Sequence, residues 1–396
     1  MIAKRFEDST TSIRAVAIWL ILATTVTAAE IRVATFNVSL NRRNAGDLTA
    51  DLRQQDPQAA KVATVLRLVR PDVVLLNEFD FDPAGESLEL FKTQYLQSAD
   101  LPGDTRPLML PHSWSAPVNT GVQSGKDLDG NGRIGGPADS FGFGYFPGQY
   151  GMVVLSRFPI DVDHVRTFQN LLWHQMPEAR RPVNPETQQS WHSDSVWQLL
   201  RLSSKSHWDV PVTINGSVIH LLASHPTPPA FDGPEDRNGC RNTDEIRIWT
   251  DYLTPEHASW IEDDAGTTGG LPIDQHFCIV GDLNSDPTDG GSQHAAIQAL
   301  LQHDRVNGEF VPTSRGAAEA SEQQKGRNRQ HQGSAEHDTA DFSDNSVGNL
   351  RVDYVLPSKS LTVVDGGVFW PSTDAPTADL SECSDHHLVW LNIAAP

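Results

Sequence analysis

Basic residues are scarce. Lys and Arg number 30 against 51 Asp and Glu in 396 residues, a formal net charge of −21 at pH 7. So acidic a surface repels polyanions and argues against long-range capture of DNA by a basic face. Few aromatics lie in a basic setting, so base stacking is not evident either. Cysteine is limited to three residues, enough for one disulfide at most. After residue 29 no apolar run approaches the length of a membrane helix, and no apolar hairpin suited to lipid insertion stands out. No internal repeat is found.

The first 29 residues follow a different pattern. Lys4, Arg5 and Arg14 precede an apolar run from Ala15 to Val26, and Thr27, Ala28 and Ala29 are small. This is the pattern of a secretory signal peptide cleaved near Ala29, which implies a secreted or periplasmic protein. Residues 30–396 are then expected to form a single domain with long loops at 97–150 and 313–349, and to work as a monomer without stable membrane insertion. Cys278 in "FCIVGD" reads as a core thiol, whereas Cys240 in "RNGCRN" and Cys383 in "SECSDHH" lie in loop-like segments. If a disulfide forms, it is expected between Cys240 and Cys383.

Short Val-, Ile- and Leu-rich runs recur between polar or Gly/Pro punctuation: "IRVATFNVS", "DVVLLNEF", "GMVVLSRF", "SVIHLLASH", "FCIVGDLN", "LRVDYVLPS" and "LVWLNI". Each has the length and composition of a strand. "DPQAAKVATVLRLVRPD" has helical periodicity, with Asp56 as N-cap and Pro57 in the first turn. "RNTDEIRIWTDYLTPEHASWI" and "GGSQHAAIQALLQH" are further helix candidates. The mixture predicts an α/β or α+β sheet protein. Residues 313–349 are polar and poor in apolar side chains, and predict a partly mobile loop.

Chemistry-bearing residues collect at strand ends. Asn37, Glu78, His225, Asp282 and Asn284 follow apolar runs, Asp353 lies inside one, and "SDHH" (384–387) precedes the last. One such residue is usually a turn-former; seven would converge on one rim of a sheet. "DLDGNGRIGG" adds a second feature, because Asp127, Asp129 and Asn131 sit at the first positions of a calcium loop and the Arg133 carbonyl is a further donor. Position 12 is Ala138, with Asp139 one place later, and no amphipathic helices flank the segment. A sensor is therefore not expected. A structural Ca²⁺ pinning a long loop is, with a plain Gly-rich turn as the alternative.

The motifs "ATFNV", "LLNEFD", "GMVVLSRFP", "GDLNSDP", "RVDYVL" and "SDHHLVWL", in that order, resemble the endonuclease/exonuclease/phosphatase superfamily. The resemblance implies a deoxyribonuclease I-like fold, a four-layer sandwich of two mixed β-sheets flanked by helices. It also implies a metal-dependent phosphoesterase that uses Mg²⁺ or Mn²⁺, or Ca²⁺, at its active site. Asn37, Glu78 and Asp385 match the metal shell, Asp282 the water-positioning aspartate, Asn284 a phosphate ligand, and His386 the catalytic histidine oriented by Asp353. His225 resembles the histidine of the deoxyribonuclease and sphingomyelinase branches. Lys205 and His207, in "SSKSHWDV", stand where relatives present a phosphate-contacting residue. The partner implied is a phosphate ester, mono- or diester, with nucleic acid only as substrate. His220 and His387 are expected to be structural. The rival is a catalytically weak or inactive calcium-dependent binding protein on the same fold.

Overall fold

Most of the strand-forming runs are apolar at successive positions, not alternate ones, so their strands must be covered on both faces. In a computed structural model, which describes Met1 and residues 30–99 and 106–395, they are. The expected signal peptide lies outside the described residues. The strands are β1 (Glu30–Leu40), β2 (Val73–Phe79), β3 (His112–Trp114), β4 (Met152–Ser156), β5 (Arg166–Thr167), β6 (His207–Ile214), β7 (Ser217–Ser224), β8 (His276–Asp282), β9 (Ala340–Asp341), β10 (Asn349–Leu350), β11 (Asp353–Pro357), β12 (Val363–Phe369) and β13 (Leu388–Ala394). The α-helices are α1 (Asp47–Arg53), α2 (Pro57–Val69), α3 (Glu86–Leu90), α4 (Asp194–Trp197), α5 (Arg237–Leu253), α6 (Ala295–Leu301) and α7 (Arg315–Gln324).

Two mixed sheets carry the fold. One has the order β12-β13-β1-β2-β4-β3, the other β11-β8-β7-β6-β5, and β9 and β10 form a separate pair. Within each sheet one central pair is parallel, β1 with β2 and β7 with β8. Side chains alternate across the strands. Ile31 and Val33 of β1 join Val210, Leu221 and Val280 in the layer between the sheets. Ala34, Phe36 and Val38 face the other way, onto Val62 and Leu66 of α2. On the far side, Ile246 and Trp249 of α5 and Ile297 of α6 cover Phe277, Ile279 and Tyr354. Helix, sheet, sheet and helix make the four-layer sandwich.

Helix α2 begins as its sequence predicts: Asp56 accepts a hydrogen bond from Ala59 N at 2.7 Å. Helix α5 is shifted relative to expectation. It starts earlier, at Arg237, and stops at Leu253 because Pro255 forces Thr254 into an extended conformation. Residues 313–349 depart further, since they hold α7 and the β9–β10 pair in place of a loop. Ser314 caps α7 by accepting from Gly316 N and Ala317 N, and Ala317 is buried. The local cap compensates for the low apolar content that suggested a loop.

The cysteine expectation is overturned: all three thiols are free. Cys240, on α5, packs against the core that α5 and α6 cover, whereas Cys383 packs with α2 on the opposite outer face. The two sheets lie between them. Cys278 is a core thiol, as expected.

Buried imidazoles tie the fold to pH. Burial pushes His387 from 6.5 down to about 3 and His207 from 6.5 down to about 4. Below about pH 6.5 the unfolded chain takes up these protons while the folded chain does not. Stability from these groups is therefore complete above that pH and is lost as pH falls toward the folded values. The expected outcome is that these two groups lower the thermal midpoint between pH 7 and pH 4.5, against the opposite contribution of buried Asp80 and Asp338, whose carboxyls burial raises to about 7 and about 8. His387→Phe, which keeps the stack on Trp370, should drop less steeply, as differential scanning calorimetry would show.

Candidate active site

The topology brings the polar strand ends together. Parallel pairing puts the C-terminal ends of β1 and β2 side by side, and likewise those of β7 and β8. Strands β11 and β13 run antiparallel to their neighbours and so begin at that same rim; Asp353 pairs directly with Asp282. Asn37, Glu78, His225, Asp282, Asn284, Asp353, Asp385 and His386 all lie on or just beyond these ends.

Asp282 is the junction. Its Oδ2 lies 3.2 Å from Asn37 Nδ2, 3.3 Å from Asn284 Nδ2, 3.3 Å from His225 Nε2 and 3.6 Å from His386 Nε2. Its Oδ1 accepts from Asn284 N at 2.8 Å, and its own N–H donates to Asn77 Oδ1. Burial alone would raise this carboxyl. The charge of His386 and the contacts with His225 outweigh it and hold Asp282 well below the usual carboxylate range.

His386 stands between two acids. Its Nδ1 donates to Asp353 Oδ2 at 2.9 Å while Nε2 faces Asp282. Burial opposes the imidazolium, but Asp353 and Asp282 overcome it and raise the proton affinity well above 6.5. His225 is the reverse case: burial and the neighbouring Lys205 charge lower it, and its Nδ1 has no partner among the described residues. One rim thus holds one imidazole that keeps its proton and one that gives it up.

The segment once expected to be a loop holds His386 in place. Ala340 of β9 bridges to His386, His387 N donates to Thr339 O at 2.7 Å, and Asp341 N donates to Asp385 O at 2.7 Å. Thr339 Oγ1 donates to Asp353 Oδ2 at 2.8 Å and accepts from Asp353 N at 3.0 Å. The Phe342 ring stands edge-on to the imidazole at 5.3 Å.

Glu78, next to last in β2, has φ +60°, and Asn284 follows β8 with φ +50°. Such backbone is sparsely populated for side chains of this kind and recurs at functional sites. Gly281, at φ +148°, has its own reason to be glycine. A Cβ there would run into the Ser224 carbonyl and part β7 from β8. Glu78 Oε1 accepts from Asn37 Nδ2 at 3.2 Å and Oε2 from Asn41 Nδ2 at 2.8 Å. Ser39 Oγ donates to the exposed Asp385 at 3.3 Å. Glu78 opens into a cleft of about 700 Å³. Glu78, Asn37 and Asp385 supply only hard oxygen donors, which fits Mg²⁺, Mn²⁺ or Ca²⁺. Asp282, Asp353 and His386 also lie within 4.8 Å of one another, but both imidazole nitrogens already face carboxylates there.

Lys205 lines the cleft beside Glu78. His207 does not reach it. Its Nε2 meets Glu245 O at 2.9 Å, its Nδ1 pairs with Ser203 Oγ, and its ring packs on Trp249. Alternation along β6 turns it into the layer beneath α5, so it is a core residue and not a substrate contact. His220 pairs with Asp209 at 2.6 Å and His387 stacks on Trp370 at 3.7 Å, both structural as expected.

In the "DLDGNGRIGG" loop the carboxylates of Asp127, Asp129 and Asp139 lie within 4.8 Å of one another. Asp127 accepts from Gly130 N, Asn131 N and Gly132 N, and buried Asp139 accepts from Leu128 N, Gly135 N and Gly136 N. Asn131 Oδ1 accepts from Arg133 N at 2.8 Å. No α-helix occurs among the described residues 106–151, so the loop is no EF-hand. Leu128, Asp129 and Ala138 wall the cleft that Glu78 opens into.

Asn41, Asn77, Thr339 and Ser384, which bonds Asn37 O at 2.8 Å, escape sequence reasoning. Asn77, adjacent to Glu78 in "LLNEFD", and Ser384, the first residue of "SDHHLVWL", sit inside motifs; Asn41 and Thr339 do not.

Fold and site define a two-sheet α/β protein with a carboxylate–imidazole centre at its strand ends. The chain belongs to the Endonuclease/Exonuclease/phosphatase family, whose sequence profile matches residues 34–386. Among solved structures it is similar to an endonuclease/exonuclease/phosphatase from Beutenbergia cavernae, at 18% identity and TM-score 0.49, covering 92% of this chain and 71% of that one. It is also similar to beta toxin from Staphylococcus aureus with bound magnesium ions, at 13% identity and TM-score 0.46, over 93% of this chain and 100% of that one. A third is sphingomyelinase C from Streptomyces griseocarneus, at 15% identity and TM-score 0.44, over 92% and 99% respectively. No curated protein matches the sequence.

Because Asp353 carries much of the stabilisation of the His386 proton, Asp353→Asn should lower the His386 titration midpoint toward 6.5. Imidazole NMR on the metal-free protein measures it. A midpoint unmoved by the substitution would contradict the ion-pair assignment.

Proposed function

We propose that the protein is an exported, metal-dependent phosphoesterase that hydrolyses phosphate diesters or monoesters. One observation carries this reading: a buried Asp282 anion held by two histidines and two asparagines, with one histidine kept charged by a second acid. Ester hydrolysis needs a water aligned on phosphorus, charge compensated on the phosphoryl oxygens, and a proton for the departing alkoxide. Asp282 aligns the water. Asn284 and Lys205 bond the phosphoryl oxygens. His386 keeps a proton at neutral pH for the phosphoryl or leaving oxygen, oriented by Asp353. His225, uncharged, completes the polar wall. A divalent cation on Glu78, Asn37 and Asp385 would neutralise phosphoryl charge when bound, offsetting the repulsion between an acidic protein and an anionic ester.

Export is supported by the sequence of residues 1–29. The loop from Asp127 to Asp139 is assigned a structural Ca²⁺, with the weak affinity that suits an extracellular medium. Asp127, Asp129, Asn131, the Arg133 carbonyl and Asp139 are its donors. The inactive binding-protein alternative has no comparable support, because the whole carboxylate–imidazole set is present and interlocked.

Hydrolysis of bis-p-nitrophenyl phosphate and p-nitrophenyl phosphate tests the reading. Turnover should require Mg²⁺, Mn²⁺ or Ca²⁺ and stop with EDTA. His386→Ala should lose on the order of 10²–10⁴-fold in rate, and Glu78→Gln should weaken metal dependence most. No turnover of either ester, or of DNA, with any of the metals would overturn it.

The calcium assignment has its own readout. Millimolar Ca²⁺ should raise the thermal midpoint of the parent by a few degrees through binding to the folded state alone. It should raise that of the double variant Asp127→Asn, Asp139→Asn much less.

A further inference from the structure

Away from Glu78 the cleft is walled by Ser204, Thr227, Arg237 and Arg241, with Lys205 nearer the reacting centre. Ser204 and Thr227 are 3 % and 8 % exposed, and the Oγ of one and the Oγ1 of the other have no hydrogen-bond partner among the described residues. Buried hydroxyls are rarely left so, because the lost hydration costs about 1–3 kcal/mol per group. Their backbone N–H groups, by contrast, are both bonded. Glu245 of α5, itself buried, accepts from Ser204 N through Oε1 and from Thr227 N through Oε2, both at 2.6 Å. One carboxylate thereby clamps the segment before β6 to the loop after β7 and leaves both hydroxyls free for a ligand.

Two of the three cations here make no direct ion pair among the described residues, though buried Glu245 acts on both at longer range. Arg241 spends Nε and Nη2 on the carbonyls of Leu202 and Arg201, each at 2.8 Å, and makes no ion pair among the described residues. Lys205 is 6 % exposed and likewise makes none. Arg237 pairs with Glu235. Buried charges are ordinarily paired. Burial lowers the proton affinity of Lys205 while Glu245, and after it Glu78 and Asp282, raise it, and Arg241 opposes them, so Lys205 links the reacting centre to the arginines.

We propose that the Ser204, Thr227, Arg237 and Arg241 wall is a subsite for a second anionic group of the substrate, a phosphate or carboxylate carried beyond the scissile phosphate. Two hydroxyl donors beside guanidinium groups match an oxyanion, which charge-assisted bonds hold tightly. A cationic head group would meet like charge there. The cleft volume of about 700 Å³ is that of a small-molecule site, so the substrate class is a small ester bearing two anions. The assignment rests on the phosphoesterase reading for the identity of the first phosphate.

Titration calorimetry with the full chain in Mg²⁺ tests this without requiring turnover. The ligands are alkane α,ω-diphosphonates of increasing chain length, each against the alkylphosphonate of equal length. At the length that spans Lys205 and Arg241, the diphosphonate should bind about tenfold or more tightly than its partner. That advantage should shrink to about threefold or less in Thr227→Val, which keeps the N–H to Glu245, and in Arg237→Met. ω-Carboxyalkylphosphonates distinguish the two anions: a gain in that series alone assigns the subsite to a carboxylate. Equal affinity at every length in both series, no binding by any of them, or an advantage that survives both substitutions would overturn the subsite. Failure of the parent reading shows elsewhere, as absent hydrolysis of bis-p-nitrophenyl phosphate in the same preparation.

Discussion

A single buried anion organises this protein. Asp282 lies at the end of β8, 1 % exposed, and a carboxylate there is tolerable only if hydrogen-bond donors surround it. Those donors come from the ends of β1, β7 and β8 and the start of β13. Satisfying Asp282 therefore fixes how the two sheets meet at this rim. The requirement propagates outward. His386 needs Asp353 to stay charged, Asp353 needs the Thr339 hydroxyl, and Thr339 is placed by β9. Asn37, reaching across from the other sheet, joins Asp282 to Glu78 and so to the open cleft.

The site divides its electrostatic labour between neighbours. The two imidazoles share one carboxylate yet differ in proton affinity, because one has a second acid behind it and the other has Lys205 nearby. The same separation holds along the cleft. Acidic oxygens gather around Glu78 and, at the loop from Asp127, around Asp129, while the wall on α5 carries guanidinium groups. A protein acidic overall thus carries Lys205, Arg237 and Arg241 together in this one cleft.

Much of this was legible in the sequence, for identifiable reasons. Unbroken apolar runs report strands covered on both faces, and the Asp56-Pro57 pair marks a helix start by chemistry that is purely local. Site residues were visible because they sit at strand ends inside short ordered motifs. What escaped depends on long-range packing. Nothing near His207 signals that its ring turns into the core under α5, and nothing near Cys240 or Cys383 reveals that two sheets separate them. Residues 313–349 look like a loop by composition, yet they contribute the strand that braces His386. Glu245, in mid-helix, reads as an ordinary polar position until Ser204 and Thr227 are brought to it.

The first strand of the fold lies against the last. β13 pairs with β1 from Glu30↔Ala394 to Thr35↔Val389, so the larger sheet stays open between β1 and β12 until residues 388–394 are in place. Contacts of such sequence separation are slow to form, because the intervening chain must first be ordered. His386, just ahead of β13, can meet Asp282 only once that seam closes. Assembly of this rim is thereby timed: a chain that lacks residues 386–394 can hold most of its two sheets and yet possess no assembled centre.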